Sequence, residues 1–240
     1  MIERLRRVIR KEQFNPGVLG AFVNPFFLAR RRLWAEMRRL STFVQGRVLD
    51  VGCGTQPYRE LFEVSEYVGL DIDTPLARER GTADAFYGGD RFPFDEARFD
   101  TVLCNQVLEH VFNPEPFVAE IRRVLANGGR LVLTVPFVWD EHEQPWDYAR
   151  YTSFGLRALL ERNGFRIIEQ RKLLADSSVL FQLANAYLHK VLRSRHRIVN
   201  LSVNVLLMAP LSLLGWLSGR LLPDNPDLFL DQAVVAEKLS

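Results

Sequence analysis

Short apolar runs alternate with amphipathic stretches through the middle of the chain. Val48, Leu49 and Val51, then Tyr67 to Leu70, Thr101 to Cys104, Arg130 to Val135 and Phe165 to Leu173 read as buried strands, with Ala83 to Tyr87 a weaker one. Between them lie helical patterns. Thr74-Pro75 starts a short helix, and Asn113-Pro114 opens a longer one on which Phe117, Ile121, Val124 and Leu125 share a face until Gly128-Gly129. Thr152 or Ser153 caps a third, ending at Asn163-Gly164. Strand and helix in regular alternation predict a doubly wound, Rossmann-like α/β sheet.

The stretch from Arg47 to Asp71 carries the first chemistry. An apolar strand ends in Gly52-Cys53-Gly54, where two residues without Cβ let the backbone turn sharply and a ligand sit against its N–H groups. Pro57 suits the first position of a following helix. Asp71 lies 19 positions after Gly52, about where a second strand presents a carboxylate to a ribose diol. A dinucleotide fingerprint needs a third glycine at position 57, and Pro57 excludes it.

With Asp50 ahead of the turn, LDVGCGTQPY resembles the first motif of class I S-adenosylmethionine-dependent methyltransferases, and YVGLDI resembles their second. FDTVLCNQVLEHV and EIRRVLANGGRLVLTVP extend the likeness. The resemblance implies S-adenosyl-L-methionine as cofactor and a seventh strand, Gln232 to Lys238, antiparallel beside the sixth. It places Asp50, Gly52, Cys53 and Gly54 at the methionine end, Asp71 and Ile72 at the ribose, and Asp90 with Arg91 at the adenine. Asn105 and Gln106 would line the pocket. His110 matches a histidine common in relatives, and its expected role is that of a hydrogen-bonded structural residue.

Pro136 to Thr152 is a long loop dense in aromatic and ionisable residues at the strands' carboxyl edge. It is similar to a segment of bacterial methyltransferases associated with envelope polysaccharide and glycolipid modification, which implies a lipid-linked or envelope glycan acceptor, methylated at oxygen. A hydroxyl acceptor must lose a proton, and His142 has the ordinary pKa for a base near neutrality. Asp147 could orient it. Trp146 and Tyr148 could stack on the acceptor, and Arg150 and Tyr151 either bind it or tie the loop to the next helix. A membrane quinone or other lipid is the alternative acceptor, and a non-catalytic S-adenosylmethionine-binding scaffold the alternative outside enzymes.

Composition sets the surroundings. Charged residues at 25% and apolar ones at 48% describe a globular protein. Cys53 in the turn and Cys104 in a strand give neither a disulfide framework nor a metal site, so no metal and a reducing, cytoplasmic setting are expected. Residues 1–41 hold ten Arg and Lys against three Glu, +7 within a net +2, which leaves the rest near −5. Leu5, Val8 and Ile9 face one way and Arg4, Arg7 and Lys11 the other, while Asn24, Pro25 and Arg30-Arg31-Arg32 argue against a secretory signal. This basic arm either covers the sheet or meets an anionic membrane. No recognisable RNA-binding module accompanies it, so nucleic acid is not the expected partner.

Between the last two strands lies an insertion, residues 176–230. Its stretch from Leu201 to Gly219 bears no formal charge, close to the roughly 20 residues needed to span a bilayer. Because the strands on either side must share one sheet, a shallow hairpin or interfacial helices over residues 177–222 are expected instead of a crossing, peripheral on the inner membrane face. A lid or homodimer interface would have the same composition. The chain thus divides into a basic arm (1–41), a cofactor-binding core (42–175), the insertion (176–230) and a closing strand (231–240).

Overall fold

The computed structural model of the chain describes residues 11–239. The amphipathic pattern of Leu5, Val8 and Ile9 against Arg4 and Arg7 lies outside them. The chain forms two compact units. One comprises the stretch up to Glu36, Val138–Asp140 and Lys172–Leu230; the other comprises Met37–Phe137, Glu141–Arg171 and Asp231–Ser240.

The larger unit is built on a seven-stranded sheet in the order β3-β2-β1-β4-β5-β7-β6. Its strands are β1 (Arg47–Val51), β2 (Glu66–Ile72), β3 (Ala85–Tyr87), β4 (Phe99–Asn105), β5 (Leu125–Pro136), β6 (Phe165–Leu173) and β7 (Asp231–Lys238). The first five are parallel, and β7 runs antiparallel to β5 from Arg130↔Glu237 to Pro136↔Asp231. This is the Rossmann-like sheet the alternation predicted, with its last strand reversed. Parallel strands deliver their carboxyl ends to one edge, and order reverses at β1 and β4, where open α/β sheets bind ligands.

Strand starts are pinned by specific contacts. Asp100 accepts from the Arg47 backbone N–H at 2.8 Å and from its guanidinium at 3.1 and 2.9 Å, tying β1 to β4. Gly46, at φ +69°, leaves the space that Asp100 fills, since a Cβ there would stand 2.4 Å from the carboxylate. The core under the sheet contains Leu49, Leu70, Phe99, Val102, Leu131 and Val234, facing Phe117, Ile121 and Val124 of the helix Pro114–Val124. Phe99 meets Phe94 edge-on at 5.0 Å. Phe99→Ala is therefore expected to cost about 3–5 kcal/mol of stability, read from the denaturant midpoint.

Two expectations change. The helix Pro114–Val124 passes directly into β5 at Leu125, so Gly128-Gly129 lies within an extended segment and does not end the helix. No α-helix follows the glycine turn; Arg59–Leu61 makes a single 3₁₀ turn. Gln56 stands in the left-handed region at φ +50°, not in the extended conformation that Thr74 adopts as the cap ahead of Pro75, so Pro57 does not open a helix as Pro75 does.

The helical unit contains Gly20–Val23, the first turns of Phe27–Leu40, Ser178–Val191 and a continuous helix from Arg197 to Leu221. The stretch up to Glu36 and the insertion belong to this one unit. Gly215 allows close packing: a Cβ there would lie 2.7 Å from Phe181 and 2.9 Å from Leu28. Buried Asn185 donates to Met208 O at 3.2 Å and Ser212 Oγ at 2.9 Å. The long helix carries a π turn, Asn204–Met208, in which the Ala209 N–H reaches Asn204 O just ahead of Pro210, which has no N–H to give. Ser178–Val191 packs along this helix, so the two form a helical hairpin, and Pro210, expected to weaken a straight span, is absorbed by the π turn so that the helix runs on.

Candidate functional site

Two groups of side chains gather at the carboxyl edge of the sheet. The first stands over β1, β2 and β4. Asp50, near the end of β1, is buried and accepts a 2.6 Å hydrogen bond from the Tyr67 hydroxyl. Burial pushes its pKa up to about 7, the Tyr67 bond opposes this, and the neighbouring charge of Asp71 adds to it. Asp71 is also raised by burial, against hydrogen bonds from the Ile72 and Gly54 N–H groups and the guanidinium of Arg80 at 3.8 Å. Two carboxylates held above their ordinary range at the ends of adjacent strands suit a ligand bearing a cationic group and hydroxyl donors.

The glycine turn works differently from the sequence expectation. The Gly52 and Cys53 N–H groups both donate to Leu70 O, at 2.8 and 3.1 Å, and that of Gly54 faces Asp71, so the turn's donors are taken by β2. What the turn offers is space. At Gly54 a Cβ would meet only Gly52 O, at 3.9 Å, whereas at Gly52 it would strike Val107. The Cys53 thiol is buried beneath the turn, 3.0 Å from where a Gly69 Cβ would stand, and burial raises its pKa to about 12. It supports the turn from below.

Ile72 ends β2 with its side chain half exposed, and Asp90 and Arg91 lie exposed in the loop after β3. Asn105 and Gln106 close β4: Asn105 Oδ1 accepts from Thr134 Oγ1 at 2.5 Å, and Gln106 donates to Thr134 through its backbone N–H and its amide. Gln106 has φ +56°, a strained conformation held by these bonds at the strand end.

The second group follows β5. Asp147 accepts a two-pronged bond from Arg150, at 2.6 and 2.7 Å, and a third from the His142 backbone N–H at 2.9 Å. Burial alone would raise its pKa, but the Arg150 bonds and the His142 N–H outweigh it and hold the carboxylate at about 2. His142 Nδ1 lies 3.3 Å from the same carboxylate, and the ring meets His110 edge-on at 4.9 Å. His110 Nδ1 pairs with Trp146 O at 2.7 Å, and the Tyr148 and Ala149 N–H groups both donate to Glu109 O, so the loop is clipped to the end of β4. Trp146 and Tyr148 are exposed, with Tyr148 edge-on to Phe112 at 5.2 Å.

Sequence reasoning missed Glu109. Its side chain is fully buried, neither carboxylate oxygen has a hydrogen-bond partner among the described residues, and the buried Tyr151 hydroxyl is likewise unpartnered. Burial raises the Glu109 pKa to about 8 and that of Tyr151 to about 12. Within VLEHV a glutamate reads as an exposed position of a helical turn, and only the loop folded over it reveals its burial. Tyr67, the partner of Asp50, was legible: β1 pairs Asp50 with Gly69, two positions from Tyr67 on the same face.

Residues 49–133 match the family model described as a methyltransferase domain. That segment runs from β1 into β5, so the core of the sheet carries the match to a methyltransferase domain. The paired carboxylates and open Gly54 of this chain fit S-adenosyl-L-methionine, a sulfonium ligand carrying an ammonium group and a ribose. A protein of Methanocaldococcus jannaschii is 33% identical over 94 residues, 38% of this chain and 45% of that protein. The protein named Probable tRNA methyltransferase 9B of Mus musculus is 30% identical over 127 residues, 48% of this chain and 27% of its own length. The chain spans about half the length of the first of these relatives or less. In fold, the methyltransferase domain and its appendages resemble phosphoethanolamine N-methyltransferase 2 of Haemonchus contortus, solved with S-adenosyl-L-methionine. That match has a TM-score of 0.56 at 16% identity, covering 96% of this chain and 59% of that one.

Proposed function

We propose that the chain transfers a methyl group from S-adenosylmethionine to a hydroxyl oxygen of a lipid-linked or envelope glycan presented at a membrane surface. The observation that carries the acceptor half is the second residue group, where His142 is oriented by an ionised Asp147 whose own geometry is fixed by Arg150. The cofactor supplies a methyl group on a sulfonium, open to in-line displacement. Asp50 and Asp71 hold its cationic end and its ribose, and Ile72, Asp90, Arg91, Asn105 and Gln106 complete the pocket. His142 activates the acceptor oxygen, and Trp146 and Tyr148 offer faces on which a sugar or lipid stacks.

The helical unit supports the membrane half. Arg197–Leu221 is long and apolar enough to cross a membrane, and only 22% of its most apolar window is buried. Leu206, Leu213, Leu214, Leu217 and Leu221 are exposed along it, with Trp216 and Arg220 stacked at 3.5 Å near its end. An apolar face of this extent marks an interaction surface. The chain is expected to sediment with anionic lipid vesicles, and Leu206→Glu with Leu217→Glu to reduce the bound fraction at least tenfold. Sedimentation unchanged by the double substitution would remove the membrane from the proposal.

A tRNA acceptor is the second reading, favoured by the likeness to the Mus musculus protein. Incubating the chain with radiolabelled donor and either membrane extract or total tRNA separates the two by which fraction takes the label.

A further inference from the structure

We propose that Glu109, His110 and His142 bind a divalent first-row transition-metal ion, of the Zn²⁺ or Mn²⁺ kind, that holds and acidifies the acceptor's oxygen. This rests on the acceptor reading given above and states how His142 activates the acceptor: as a ligand of the ion.

One ligand atom from each of the three residues lies within 4.8 Å of the other two, and His110 Nε2 stands 3.9 Å from Glu109 Oε1. Ligand atoms around a tetrahedral ion with bonds near 2.0–2.1 Å sit about 3.3 Å apart, so the set closes on an ion through small rotations of His142, the most exposed of the three. Glu109 gives an independent indication. A fully buried carboxylate whose oxygens have no hydrogen-bond partner among the described residues is a costly arrangement, and a cation at those oxygens relieves it.

The surroundings of the two imidazoles agree. His110 has Nδ1 against the Trp146 carbonyl at 2.7 Å, and His142 has Nδ1 against the Asp147 carboxylate at 3.3 Å. The His110 ring thus has Nδ1 engaged by a carbonyl and presents Nε2 toward Glu109, as carbonyl partners do behind metal-ligating histidines, and the Asp147 carboxylate stands behind His142 in the same manner. Two imidazoles and one carboxylate favour Zn²⁺, Mn²⁺ or their neighbours over Mg²⁺ or Ca²⁺, and three protein ligands leave positions open for the acceptor. An acceptor hydroxyl held by the ion loses its proton to solvent. Its oxygen then bonds the methyl carbon as the carbon–sulfur bond breaks, the electron pair passing to sulfur.

The test uses the full chain, stripped with chelator and then titrated with Zn²⁺ by calorimetry and with Mn²⁺ by electron paramagnetic resonance, without donor or acceptor. One ion per chain is expected, and Glu109→Gln, His110→Asn and His142→Asn should each weaken binding by at least about tenfold. Metal-free Glu109→Gln should melt no lower than the parent, since it removes an unpartnered buried carboxylate, so its loss of binding cannot be a failure to fold. A parent chain that binds neither ion, or three variants that all bind as the parent does, overturns the proposal. S-adenosylmethionine binding measured on the same samples keeps the two readings apart: intact cofactor binding without metal binding sinks the ion alone, and lost cofactor binding in the parent sinks the methyltransferase reading.

Discussion

Asp50→Asn is expected to raise the melting temperature of the ligand-free protein by roughly 5–15 °C near pH 8, with the gain shrinking steadily toward about pH 4. Burial, opposed by the Tyr67 hydroxyl and helped by Asp71, lifts the Asp50 pKa from 3.8 to about 7 in the folded state. The unfolded chain therefore releases this proton first as pH rises. The unfavourable contribution is absent below about 3.8, grows through the interval and is complete above about 7. A shift of roughly three units at about 1.4 kcal/mol each sets an upper scale of about 4 kcal/mol. Asparagine keeps an acceptor for the Tyr67 hydroxyl and carries no charge, so it escapes the penalty.

The same substitution should weaken S-adenosylmethionine binding by about 10- to 100-fold, since a carboxylate facing a cation is what the pocket loses. The parent protein's affinity should also rise from about pH 5 to 7 as Asp50 ionises, and the variant's should not. Melting curves and calorimetric titrations at several pH values check both. A difference in melting temperature that stays flat with pH would mean that Asp50 is ionised throughout and that the burial argument is wrong.

The sheet could be read from the sequence because its signal is local. Each strand is a short apolar run bounded by Gly, Asp or Pro, and the alternation with amphipathic helices leaves few topologies. The glycine turn was placed correctly and its donors were not. Whether the Gly52 and Cys53 N–H groups face a ligand or Leu70 depends on pairing with a strand nearly twenty residues away. Pro57 misled for a related reason: the first-helical-position preference holds where the preceding residue is an extended cap, as Thr74 is before Pro75, and Gln56 adopts a left-handed conformation. Glu109 was illegible because its burial comes from the loop that bonds to its carbonyl through Tyr148 and Ala149, a contact across a long separation. The insertion's composition was plain, but continuity through Pro210 depended on the π turn at Asn204–Met208, a backbone adjustment that no periodicity marks.

His142→Ala is expected to lower kcat by about 10²- to 10⁴-fold while leaving S-adenosylmethionine affinity within about twofold, because it stands with the acceptor group and not among the cofactor carboxylates. That loss alone does not separate a proton acceptor from a metal ligand. The neighbours decide more. Asp147 is nearly fully buried, with 3% of its side chain exposed, and both its oxygens are committed to Arg150. Arg150→Lys keeps the charge and removes the fork, and one point charge cannot reproduce two parallel bonds. If Arg150 ties the loop down, the variant should lose about 2–3 kcal/mol of stability and part of kcat, through a displaced His142, with the acceptor KM unchanged. If Arg150 binds the acceptor directly, KM should rise tenfold or more at nearly constant stability. The bidentate geometry predicts the first outcome. A raised KM without a lower melting temperature would assign Arg150 to the substrate and leave Asp147 without its clamp, and the orientation argument for His142 would fall with it.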